Sequence, residues 1–189
     1  MGKLDPKELQ LVIENLKNGG TLLYPSDTLW ALGCDAENDS AIDKISVLKG
    51  QQGPMVVLVS SLRMLLHYVP QLPPKAGDMI EYYEKPLTIL YSGYRFLSDK
   101  LSAADGTVAI RVVKESACVS MINCFGKAIV STMASKKEDK LPFTFRDVPA
   151  DIRKAVDFTA AFNMDYKGSR ASVIVGIDPK NELFFIRKD

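Results

Sequence analysis

The apolar residues of this chain fall in short runs bounded by glycine and proline, and those runs alternate with segments of helical periodicity. Residues 21–24 follow Gly19 and Gly20 and stop at Pro25. A run so short and so apolar reads as a buried strand. Residues 55–59, 87–91, 107–113, 127–130, 172–175 and 182–186 read the same way. Between them, Asp5, Pro6 and Glu8 spell a helix start, and Leu9, Val12, Ile13 and Leu16 recur on one face. Asn38 or Asp39 caps a second helix that runs to Lys49 and Gly50. Further helices are expected over 62–69, 78–83, 116–125 and 149–162, with 131–146 a surface loop. The pattern of 29–32 fits a strand or a helical turn. Strands separated by helices that cover both faces define an α/β fold on a twisted open sheet. The strands 87–91 and 107–113 lack a crossover helix between them, which predicts antiparallel pairing and so a mixed sheet.

At 189 residues with 47% apolar content, the expectation is a single domain spanning 1–189 with a substantial core. Lysine plus arginine total 24 and aspartate plus glutamate 23, a formal charge of +1 that provides no global attraction to nucleic acid or membrane. The apolar runs are too short for a membrane span, and MGKLDPKELQ does not resemble a signal peptide. Cys34, Cys118 and Cys124 form no close metal pair and are odd in number. A reduced, cytoplasmic setting is expected.

Common catalytic signatures are absent. There is no GxxxxGK[ST] phosphate loop, no GxGxxG and no G-x-S-x-G, and the one histidine, His67, lies in the apolar stretch LLHYV. What remains is a set of polar residues at strand ends. Ser26, Asp27 and Thr28 sit between two apolar runs, and side chains so placed are costly to bury unless something bonds them. Lys49 beside a glycine suits a phosphate or carboxylate as a point charge, though a lysine there also complements a helix C-terminus. Arg111, inside TVAIRVV, must meet an anion or project past a sheet edge. Ser131 and Thr132 directly follow the apolar AIV. Trp30 fits a packing anchor or a stacking surface. Lys136, Lys137 and Lys140 form a loop patch interrupted by Glu138 and Asp139.

These sets occur in the order of a known family. YPSDTLWALG resembles the YPTDTxYGLG signature of the YrdC-like proteins, whose active members are threonylcarbamoyl-AMP synthases. Lys49-Gly50 resembles the start of that family's KGR segment, Pro86-Leu87-Thr88 the end of PGPLT, and GTVAIRVV its arginine-bearing strand. STMAS stands where the family has STSAN, and ASVIV with FFIRKD resembles the closing strands. The resemblance implies a YrdC-like (DHBP synthase-like) sheet with one concave ligand face. It also implies a reaction in which L-threonine, bicarbonate and ATP, with Mg2+ on the triphosphate, give threonylcarbamoyl-adenylate and pyrophosphate. No metal would be held by protein ligands. In the family the threonylcarbamoyl group then passes to tRNA through partner proteins of a transferase complex, and binding of double-stranded RNA or tRNA is associated with the fold.

Carried onto this chain, the resemblance implies that Ser26, Asp27, Thr28 and Trp30 bind the substrate. Lys49, Arg111 and Thr28 would carry catalysis. Lys49, Gln51, Ser131, Thr132, Met133, Ser135 and Ser172 would line the nucleotide pocket. Three of these depart from the pattern: Gln51 replaces the arginine of the family's KxR pair, Met133 a serine and Ser135 an asparagine. Glutamine supplies neither the charge nor the rigid fork suited to phosphate. Losing such contacts costs about 1.5–3 kcal/mol each, so the threonine end is better kept than the ATP end. The resemblance therefore leaves three roles open: a divergent synthase, a non-catalytic domain that binds nucleotide or RNA, and a degenerate homologue whose fold serves a structural or regulatory contact.

Overall fold

The structure is a computed structural model that describes residues 5–50, 55–136, 140–160, 162–168 and 170–188. Helix α1 (Pro6–Lys17) is capped by Asp5, whose carboxylate accepts from the amides of Lys7 and Glu8. The chain continues through strands β1 (Leu22–Pro25) and β2 (Trp30–Gly33), then α2 (Asp39–Lys49), which ends at Gly50 in the left-handed region. Next come β3 (Val56–Val59), α3 (Leu62–Tyr68), α4 (Pro74–Tyr82) and β4 (Leu87–Tyr91). Strand β5 (Val108–Val112), helix α5 (Ser116–Phe125) and strand β6 (Ile129–Met133) follow. Helix α6 (Ala150–Ala155) and strands β7 (Phe158–Thr159), β8 (Val173–Ile177) and β9 (Leu183–Arg187) complete the described elements.

Among the described residues, nine strands join in the order β7-β1-β2-β6-β3-β5-β4-β8-β9. The pairs β1–β7, β3–β5 and β4–β8 are parallel and the others antiparallel, so the sheet is mixed, as the missing crossover between β4 and β5 required. One face carries Leu23, Val57, Ile89, Ile110, Val130 and Val173 under side chains of α2, α3, α4 and α6. The other carries Leu22, Tyr24, Ala31, Leu58 and Ile129 under α1 and α5. Helices thus cover both faces, but unequally. Because side chains alternate along a strand, Val56, Thr88, Leu90, Ala109, Arg111 and Ile174 share the α1/α5 side, beyond the cluster that those helices bury. That part of the sheet is the floor of the candidate site.

One open reading is decided and three local expectations are corrected. Of the ambiguous 29–32, residues 30–32 are strand, because β2 pairs with both β1 and β6. Residues 131–133 belong to β6 rather than a loop: Ser131 stands opposite Val56 and Thr132 opposite Leu32, so two hydroxyls sit on a central strand. The helix expected over 149–162 stops at Ala155. Asp157 bonds the Thr21 amide and hydroxyl, and the chain turns into β7 along β1. Helix α4 begins at Pro74, earlier than expected, since proline is tolerated in a first turn.

Candidate functional site

The turn from β1 to β2 positions the first set of residues. Ser26 Oγ donates to the Leu29 carbonyl at 2.7 Å and accepts from the amides of Thr28 and Leu29. It also lies 3.0 Å from Thr28 Oγ1. The dense polar cluster is therefore partly satisfied by its own turn, and Ser26 organises that turn. The stretch 162–168 braces it from outside: Tyr166 Oη donates to the Thr28 carbonyl at 3.3 Å, and Trp30 Nε1 donates to the Tyr166 carbonyl at 3.4 Å. Trp30 is fully buried against Phe145, with ring centroids 5.2 Å apart, so its indole is a packing anchor beside the cavity.

Strand β5 brings Arg111 to this turn. Its Nη2 lies 2.9 Å from Asp27 Oδ1, and both side chains are almost sealed from solvent. The approach is that of two charges rather than an in-line hydrogen bond. Neither Asp27 Oδ1 nor Arg111 Nε has a hydrogen-bond partner among the described residues. Burial pushes the Asp27 carboxyl above its ordinary value, while the guanidinium pulls it back down.

Ser26, Thr28, Trp30, Arg111, Ser131, Thr132, Met133 and Ser172 all line one cavity of about 160 Å³. Residues chosen from four separated stretches of sequence thus meet in space. Asp27 lines an adjoining cavity of about 330 Å³ with Tyr83, Lys114, Glu115 and Tyr166. Its ion pair with Arg111, which lines the first cavity, joins the two. Arg187, at the end of β9, also lines the first cavity and donates through Nε and Nη2 to the Ser172 carbonyl at 3.0 and 2.6 Å. Burial, and then the like charge of Arg111, lower the pKa of Arg187. Sequence reading did not single out Arg187 or Tyr166. An arginine inside FFIRKD was the available signal for the first, whereas nothing local marks the second.

Lys49 and Ser135 are placed differently. Lys49 is buried at the end of α2 rather than facing solvent. Its Nζ donates to the carbonyls of Met133 and Ser135 at 2.7 and 3.1 Å, and burial lowers its pKa. It therefore ties down the end of β6. Gln51 lies outside the described residues. Among the described residues no three His, Cys, Asp or Glu side chains converge where a metal ion could sit. His67 stacks on Phe96 at 4.8 Å on the outer side of α3.

An open mixed α/β sheet with helices on both faces, and with a guanidinium, hydroxyls and a tight β1–β2 turn meeting on one partly uncovered face, is the architecture of a YrdC-like protein. The chain belongs to the Sua5_yciO_yrdC (telomere recombination) family, whose sequence profile matches residues 14–188. A threonylcarbamoyl-AMP synthase from Halorhodospira halophila (strain DSM 244 / SL1) is 28% identical over 134 residues, covering 69% of this chain and 70% of the relative. Among solved structures, P. abyssi Sua5 complexed with L-threonine superposes with a TM-score of 0.84 at 17% identity, over 98% of this chain and 55% of that one. E. coli YciO gives 0.82 at 18% identity, over 98% and 92%. The chain thus spans little more than half of Sua5 and nearly all of YciO.

Proposed function

We propose that this chain is a divergent threonylcarbamoyl-AMP synthase-like protein. It would take L-threonine, bicarbonate and ATP to threonylcarbamoyl-AMP and pyrophosphate, ahead of transfer to tRNA by partner proteins. The observation that carries the proposal is the convergence of Thr28, Arg111, Ser131, Ser172 and Arg187 on one cavity. The threonine amine attacks the carbon of bicarbonate with loss of water, or of carbon dioxide with loss of a proton, to give a carbamate. A carbamate oxygen then attacks the α-phosphorus, and pyrophosphate leaves. No protein nucleophile is needed, so the work of the chain is positioning and charge stabilisation. Arg111 and Arg187 face the charge that develops at the acyl phosphate, and the Thr28 and Ser131 hydroxyls orient the amino acid. Mg2+ carried on the nucleotide would supply charge neutralisation at its phosphates, with no protein ligand required.

A second reading, a domain that binds these ligands without synthesis, is favoured by Lys49. Its ammonium is spent on two backbone carbonyls. Incubation with threonine, bicarbonate, Mg-ATP and pyrophosphatase should yield a threonine-dependent adenylate and AMP from its breakdown. No such product at high protein concentration would eliminate the synthase reading. Calorimetric binding of threonine or nucleotide in its absence would support the second, and titration with a tRNA transcript tests whether RNA is also a ligand.

A further inference from the structure

Thr88 lies on the uncovered face of β4, and its place there follows from register. It stands opposite Ile174 in the parallel β4–β8 pair. Side chains alternate along a strand, so Ser172, two residues before Ile174, projects to the same side. The antiparallel β4–β5 pair sets Ile89 opposite Ile110, and one further step in that register sets Thr88 opposite Arg111. Thr88 therefore stands between Arg111 on one neighbouring strand and Ser172 at the start of the other. On the far side of β8, Arg187 stands opposite Ile174.

The two arginines already have partners in the protein. Arg111 Nη2 lies 2.9 Å from Asp27 Oδ1, and Arg187 donates through Nε and Nη2 to the Ser172 carbonyl. The Ser172 hydroxyl is placed differently. It lines the 160 Å³ cavity with Thr28, Arg111, Ser131 and Arg187, and its Oγ lies 2.8 Å from Thr88 Oγ1. One proton fills that bond, and burial decides which residue gives it. Thr88 borders a larger cavity beside Leu90 and Ala109 but is 0% exposed, whereas Ser172 is 5% exposed. A sealed hydroxyl proton needs an acceptor, and Ser172 Oγ supplies it. A serine hydroxyl can accept while donating its own proton elsewhere. Ser172 is thus held at its carbonyl by Arg187 and at its hydroxyl by Thr88, with its proton left for the cavity.

We propose that Thr88 is a positioning residue: it donates to Ser172 Oγ and so fixes the Ser172 hydroxyl as a hydrogen-bond donor to an acceptor oxygen of the ligand in the smaller cavity. The proposal rests on the reading above, that this cavity binds threonine or nucleotide, and adds the residue that sets one of its donors. Thr88 acts through Ser172 and touches no ligand itself. Valine at this position keeps the shape but has no proton to give, so the Ser172 hydroxyl loses the bond that sets its torsion. The hydroxyl of Thr88 carries this role, and its methyl group does not.

Calorimetric titration of the full chain with L-threonine and, separately, with Mg-ATP tests this in four variants beside the wild type: Thr88→Val, Thr88→Ser, Ser172→Ala and Thr88→Val/Ser172→Ala. Thr88→Val should weaken a probe that the wild type binds about fivefold, equivalent to about 1 kcal/mol. Ser172→Ala should weaken it at least as much, and the double variant no further, because both substitutions remove one interaction. Thr88→Ser deletes a buried methyl and should melt lower than wild type, yet it should restore wild-type affinity. A purely structural role would instead make affinity follow the melting temperature, and circular dichroism checks that each variant is folded. Wild-type affinity in Thr88→Val or Ser172→Ala, no rescue by Thr88→Ser, or additive losses in the double variant overturns this inference alone. Silence of the wild type toward both probes overturns it together with the ligand-binding reading.

Discussion

Replacing Arg111 with methionine removes a guanidinium that lies 2.9 Å from Asp27 Oδ1, between side chains only 4% and 10% exposed. The carboxylate left behind has its one ion partner deleted and little solvent to turn to. Breaking a buried pair in this way costs about 3–5 kcal/mol, a large share of the roughly 5–15 kcal/mol that holds a domain of this kind together. The loss should depend on pH in a definite sense. Burial already raises the Asp27 pKa in the folded protein, and the guanidinium is the group that lowers it. Without Arg111 the folded-state value rises further, so the folded chain binds that proton more tightly than the unfolded chain does. Stability then falls as pH rises between the ordinary carboxylate value and the raised one, and levels off above it. Urea denaturation of Arg111→Met should show the smallest deficit in acid and the full deficit at pH 7. The double variant Asp27→Asn/Arg111→Met should recover most of the loss, since a neutral amide needs no counter-ion. A deficit below about 1 kcal/mol at pH 7, or a double variant no better than Arg111→Met, would refute the assignment of this pair as a buried charge contact.

A Cβ at Gly168 would lie 2.6 Å from the Thr28 carbonyl oxygen and 3.0 Å from the Leu29 side chain. Gly168→Ala should therefore cost about 1–3 kcal/mol and push residues 162–168 off the turn, and the emission of the single tryptophan, Trp30, should shift as its Tyr166 contact loosens. Lys49→Met removes the donor shared by two carbonyls and should cost about 1–3 kcal/mol in a urea melt at pH 7. Because burial lowers the Lys49 pKa, the unfolded chain holds that proton more tightly. The wild type should then gain stability over Lys49→Met as pH rises between the lowered and the ordinary lysine values. Thr88→Val strands the buried Ser172 hydroxyl, 2.8 Å away, and should cost about 1–2 kcal/mol, with Thr88→Val/Ser172→Ala closer to wild type by thermal melting.

The elements whose periodicity is unbroken were legible one by one. Helix α5 is bounded by Glu115 and Gly126, and β5 by its own apolar pattern, as local chemistry required. Misreadings arose where a tertiary contact outweighed composition. Ser131 and Thr132 look like loop residues, yet two neighbouring strands hold them in a ladder. The 149–162 segment has helical periodicity, yet Asp157 finds Thr21, 136 residues away in sequence, and the backbone extends to pair with β1.

The same division runs through the site. Sequence alone determined that Ser26, Asp27, Thr28 and Arg111 stand where a strand ends or a charge must be buried, because those positions follow from residue type and spacing. It also determined that Met133 and Ser135 lack the polar groups of the related motif. Only the tertiary structure decided that Ser26 is satisfied within its own turn and that Asp27 neutralises Arg111. It alone turned Lys49 toward backbone carbonyls and brought Arg187 beside Ser172. The physical reason is that a side chain's type fixes which bonds it can make. Which partner it meets depends on strand order, and here strands far apart in sequence lie side by side.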